Sequence, residues 1–171
     1  MDFEYLFELL CGGVVKGSIY ALIALGYTMV YGIIQLINFA HGEVYMIGAF
    51  VAFIVAGIMT LTGYSGMSVL VLAAIVAVIY AAAYGYTLEK IAYRPLRKAP
   101  RLSPLISAIG ASIFLMNYVQ LAQTPDFLPF PELVTDFEFL EPISRYMSSV
   151  DVVILAVTAV TMTALTVLIK Y

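Results

Sequence analysis

The sequence predicts an all-α integral membrane protein, a bundle of about five transmembrane helices. Three observations predict it. Of the 171 residues, 63% are hydrophobic and only 11% charged, with a mean hydropathy of +1.02, whereas a soluble domain carries about 25% charged residues. The apolar residues also come in runs that match the roughly 20 residues a helix needs to cross a bilayer. Finally, the runs lack the polar–apolar alternation that spanning strands show over about ten residues.

The first apolar run covers about 9–34 and is interrupted only by Lys16. The second covers about 39–62 and the third about 67–92, with a Gly63–Gly66 turn between them. From Leu9 to Thr62 the chain is too long for one crossing, so it must turn once. The only polar cluster available for that turn is Gln35, Asn38, His41, Gly42 and Glu43. Irregular backbone at membrane depth needs protein or a watery cavity around it. A basic, proline-bearing segment, Tyr93 to Arg101, separates the third run from the fourth, about 102–123. A polar loop, Thr124 to Ser149, leads to the fifth, about 150–169.

Lys and Arg in short loops set membrane orientation. Lys90, Arg94, Arg97, Lys98 and Arg101 cluster between spans three and four, which places that loop in the cytoplasm. Threading from it puts the N-terminus outside and the C-terminus inside. The Thr124–Ser149 loop then faces out, with Asp126, Glu132, Asp136, Glu138 and Glu141 against one base, Arg145. Lys16 near the outer end of span one would extend its stem toward the interface. Tyr64, Tyr93 and Tyr171 fall at span ends, where an amphipathic ring anchors.

Several functions are disfavoured. No basic face exists for nucleic acid. A lone cysteine, Cys11, and a lone histidine, His41, build neither a disulfide framework nor a metal site. The N-terminus has Asp2, Glu4 and Glu8 where a signal peptide needs positive charge. Gly12 to Ser18 reads GGVVKGS, with Lys16 before Gly17 inside an apolar run, so it is not a phosphate loop. Gly110-Ala111-Ser112 resembles half of a nucleophile turn, but Ile113 replaces the closing glycine. Neither an enzyme nor a cofactor is expected.

Two kinds of pattern remain. Small residues recur at every fourth position: Gly13, Gly17 and Ala21 in span one; Gly48, Ala52, Ala56 and Thr60 in span two; Ala73, Ala77, Ala81 and Gly85 in span three. Such stripes let helix backbones approach closely in lipid. Polar residues also stand where they are costly. Gln35, Asn38 and His41 are three apart and share a face if helical, with Glu43 just beyond. Asn117 and Gln120 repeat the spacing in span four. We read the Gln35–Glu43 cluster as a polar joint or part of a translocation path. For Asn117 and Gln120, simple hydrogen bonding between helices is the stronger competitor.

The segment KGSIYALIALGYTMVYGIIQLINFAHGEVYMIGA, Lys16 to Ala49, resembles the start of the branched-chain amino acid ABC transporter permeases. The resemblance rests on Gly17–Gly26, on INFAHG (Ile37–Gly42), on Tyr45 to Gly48, on YRPLR (Tyr93–Arg97) and on PLISAIGASIFLMN (Pro104–Asn117). It implies a permease subunit of the cell inner membrane. It also implies a second permease subunit, cytoplasmic ATPase subunits and an extracellular or periplasmic substrate-binding protein as partners. The chain resembles the N-terminal half of such a permease, ending where a segment docking on the ATPase would begin. Permeases for urea or short amides, or a non-transporting scaffold fragment, are the alternatives.

Overall fold

A computed structural model of the chain describes residues 3–35, 37–97, 99–100, 102–126, 128–134 and 147–170. Asp2, Lys98, Arg101, Asp136, Glu138, Glu141, Arg145 and Tyr171, named among the expectations above, lie outside the described residues. Every regular element among the described residues is helical: α1 Phe3–Ile34, α2 His41–Leu61, α3 Met67–Leu88, α4 Leu102–Ala122 and α5 Ser149–Lys170. All five contain segments long and apolar enough to span a membrane. Many large apolar side chains face outward; Leu61 and Leu121 are each 89% exposed. An exterior of that kind suits hydrocarbon, not water.

Four of the five helices begin and end within a few residues of the apolar runs. The exception is α1, which starts at Phe3 and takes in Glu4 and Glu8. An acidic residue in the first turn complements the positive end of the helix dipole, and that offsets the interruption of the apolar run. The sequence also missed how α3 ends. It continues as a π-helical turn, Glu89–Tyr93, and a 3₁₀ turn, Arg94–Leu96. Pro95 lies in this last turn and has no N–H to extend an α-helix. The Ser107 hydroxyl on α4 donates to the Ala92 carbonyl at 3.0 Å, filling an acceptor that the widened turn leaves open. Arg97 pairs with Glu89 at 2.6 Å at the exposed surface.

The chain divides into two compact units, residues 1–29 with 134–171 and residues 30–133. In the first, Val15 of α1 and Ser149 and Thr158 of α5 are buried. The hydroxyls of Ser18, Thr161, Thr163 and Thr166 donate to carbonyls three or four residues back in their own helices. That satisfies them without a second helix.

In the second unit, α2 and α3 pack antiparallel through two of the small-residue stripes. A Cβ placed at Gly48 would lie 3.6 Å from the Ala81 Cβ and 3.9 Å from the Ala77 carbonyl oxygen. Ala56 and Ala73 are essentially sealed, at 0% and 1% exposed, and pack with Val69 and Leu133. The stripe in α1 is different. Gly13, Gly17 and Ala21 are exposed, and a methyl at Gly13 or Gly17 would meet nothing within 4 Å. Thr60 and Gly85, at the ends of the other stripes, are likewise outside the close contact.

Candidate functional site

The turn between α1 and α2 is the polar centre of the second unit. Helix α1 stops because Gln35 adopts a positive φ of 54°, a left-handed conformation that ends α-helices. Its N–H still donates to the Tyr31 carbonyl at 2.8 Å. Gln35 and Asn38 are therefore not helical, and they do not share a helix face with His41. Asn38 instead folds its side chain over the turn. Its Oδ1 accepts from the Ala40 N–H at 3.1 Å and from the Tyr93 hydroxyl at 2.6 Å. Its carbonyl accepts from the His41 N–H at 3.1 Å. Asn38 thus works as an Asx-type turn residue that also ties α2 to the end of α3.

Tyr93 corrects another expectation. It is 4% exposed, so it is an internal hydrogen-bond donor and not a ring anchored at the interface. Tyr64, by contrast, is exposed in the α2–α3 turn.

His41 is half-buried and Glu43 lies in the first turn of α2. The Ser112 hydroxyl on α4 donates to Glu43 Oε1 at 2.7 Å. Glu43 Oε2 is buried with no hydrogen-bond partner among the described residues. Ser112 thereby has a structural role: it meets a carboxylate on another helix, and no nucleophile turn forms around it. Below this pair, Ala40, Ile47, Leu115 and Val119 form an apolar cluster.

The register of these contacts places the turn along its neighbouring helices. Gly48 stands opposite Ala77 and Ala81. At 1.5 Å per residue, α2 begins roughly 10 Å from that crossing, whereas the α3 rod runs roughly 22 Å to Leu96. Ser112, level with Glu43, is about 15 Å along α4 from Leu102. Both estimates put the first turn of α2 roughly 12–15 Å inside the ends of its neighbours. At this turn Ala40 is buried and Asn38, His41 and Glu43 are half-buried against the neighbouring helices, whereas Gln35, Ile37, Phe39 and Gly42 are exposed.

Gly42, grouped above with the turn, lies within α2. It is a helical residue of α2, exposed, without a positive φ, and a Cβ there would meet nothing within 4 Å. Asn117 and Gln120 are not brought to the joint. Asn117 is exposed and donates to the carbonyl of Ile113 in its own helix at 2.8 Å. Gln120 lines a separate cleft of about 380 Å³ between α2, α4 and Thr124, Pro125, Asp126, Leu128 and Phe130. Tyr93 and Ser112 were missed as site residues because their partners are 55 and 69 positions away. No local spacing reports such pairs.

A family profile described as branched-chain amino acid transport system / permease component matches residues 9–171. The chain belongs to this permease family. It is 46% identical over 174 residues to the high-affinity branched-chain amino acid transport system permease protein LivH of Salmonella typhimurium. The same protein of Escherichia coli K12 is equally similar. BraD of Pseudomonas aeruginosa, of the same description, is 47% identical over 172 residues. These alignments cover 99%, 99% and 98% of this permease-family chain and 56% of each relative. The chain thus spans about half the length of the curated relatives it matches. No solved structure matches it.

Proposed function

We propose that this chain forms part of the membrane pathway of an ABC importer for branched-chain amino acids. The observation that carries the reading is its 46% identity, across 99% of its length, to a branched-chain amino acid permease. The polar joint supports it, because polar side chains kept inside a membrane bundle mark paths or moving joints. In this reading Asn38, His41 and Glu43 line or articulate the path at its cytoplasmic side, and Gln35 ends α1 beside it. Contacts there stay weak, since conduction requires that a substrate also leave. A second permease subunit, cytoplasmic ATPase subunits and a substrate-binding protein complete the machine in the cell membrane. The test is uptake of radiolabelled leucine by cells lacking their own branched-chain uptake and expressing the assembled transporter. Saturable, energy-dependent uptake is expected; uptake no higher than that of empty-vector cells overturns the reading.

The proposed orientation has the N-terminus outside and the C-terminus in the cytoplasm. Its support among the described residues is that Lys90, Arg94 and Arg97 all lie exposed at the end of α3. With Cys11 replaced by serine, single cysteines at Ser103 and Thr135 should react with impermeant maleimide from opposite faces of the membrane. Labelling of both from one face would exclude this topology.

A further inference from the structure

The cleft beside Gln120 has a built shape. Met46, Phe50 and Phe53 stand at helical spacing on one face of α2, and Met116 faces them from α4. The segment after α4 forms a cover over these helices. Phe130 packs edge-on against Phe53, with ring centroids 6.4 Å apart. Leu133 is 4% exposed and buried against Ala56, Val69 and Ala73. The cover is thus pinned at two points. Beneath it lies a largely apolar space of about 380 Å³, in the range of roughly 300–1,000 Å³ usual for small-molecule sites.

Polar groups gather at one end. Thr124 donates its hydroxyl to Asp126 Oδ2 at 3.0 Å and accepts from the Asp126 N–H at 3.1 Å. This two-way turn fixes the carboxylate at the rim. The Gln120 amide is one helical turn from Met116 and lines the same space. Among the described residues, no lysine or arginine lines it.

We propose that this cleft is a binding site for an aliphatic α-amino acid on its way through the permease. The branched side chain lies among Met46, Phe50, Phe53 and Met116. The α-ammonium group meets Asp126, and the α-carboxylate accepts from the Gln120 amide. An acidic rim without a basic residue rejects dicarboxylates, and an apolar floor leaves polar side chains unsatisfied. This inference rests on the transport reading above and adds the place where the substrate sits.

The probe is photo-leucine, a leucine analogue with a diazirine in its side chain, irradiated with membranes containing the assembled transporter. Mass spectrometry should find the label on residues 46–53 and 116–120, removed by excess leucine. Asp126→Asn should lower labelling by about tenfold, the scale of one lost charge-assisted hydrogen bond. Because Asp126 is exposed, this variant leaves the packed core untouched. Ala49→Phe, which fills the α2 wall of the cleft, should lower labelling similarly. Label per permease molecule is counted, so expression level does not enter. Leucine uptake by the same membranes tests the transport reading separately. Uptake with label absent from the cleft, unaffected by leucine, or unchanged in both variants overturns the site and leaves the transport reading standing. Absence of uptake overturns both.

Discussion

Replacing Asn38 with leucine is expected to abolish leucine uptake in the assembled transporter while the chain still inserts in the membrane. One amide oxygen serves two donors, the Ala40 N–H and the Tyr93 hydroxyl. Ala40 is fully buried and Tyr93 is 4% exposed, so neither donor gains water when the acceptor goes. Each buried group that loses its partner costs about 1–3 kcal/mol. Two such losses approach the ~5–15 kcal/mol that holds an ordinary domain together. The turn would then unwind, and α2 would lose its tie to the end of α3. A melting temperature measured in detergent should fall by several degrees, and uptake by at least about tenfold, the factor that 1.4 kcal/mol commands. Adding Tyr93→Phe removes one of the two donors that used Asn38 and should recover about 1 kcal/mol or more of the loss. Normal uptake and an unchanged melting temperature in Asn38→Leu would show that the turn is held by something else.

The second large effect is expected at Gly48. Alanine there fits, because its Cβ would sit in ordinary contact with Ala81 and Ala77. Leucine adds three further carbons with no space for them, and they must push α2 and α3 apart. Overpacking of this kind costs about 1–3 kcal/mol locally, and separating the stripes also forfeits the dispersion contacts that hold helices together in lipid. Gly48→Leu should therefore greatly reduce the folded permease recovered in detergent, whereas Gly48→Ala should resemble the parent. Gly17→Leu makes a useful contrast. It lies in an equally regular stripe, yet its site is open in this chain. Monodisperse protein in normal yield from Gly48→Leu would contradict the close packing of α2 on α3.

These two sites show what could be read from the sequence and what could not. The spans were legible because an apolar run of bilayer length seldom does anything but cross a membrane. The polar cluster that marks the turn was legible because nothing else between Leu9 and Thr62 could hold one. The small-residue stripes were legible as patterns, but not their partners. Spacing alone treats Gly17 and Gly48 alike, and only the meeting of α2 with α3 distinguishes them. The condition under which Gln35, Asn38 and His41 would share a helix face is not met, because the left-handed backbone at Gln35 ends the helix. Glutamine carries no strong signal for that conformation. Gly42 was grouped with the turn by composition, yet it lies inside α2, and the backbone turns left-handed seven residues earlier, at Gln35. Tyr93 looked like one more interfacial tyrosine, because its position at a span end is visible in sequence and its acceptor is not.

The Glu43–Ser112 contact also bears on how the protein is made. The two residues are 69 positions apart. At a synthesis rate of about 5–20 residues per second, α2 emerges from the ribosome roughly 3–14 seconds before its partner helix. Throughout that interval the Glu43 carboxyl lacks the Ser112 hydroxyl that meets it in the folded chain. A ribosome paused between Leu61 and Leu102 would hold a nascent chain whose most polar helix end has yet to meet its mate.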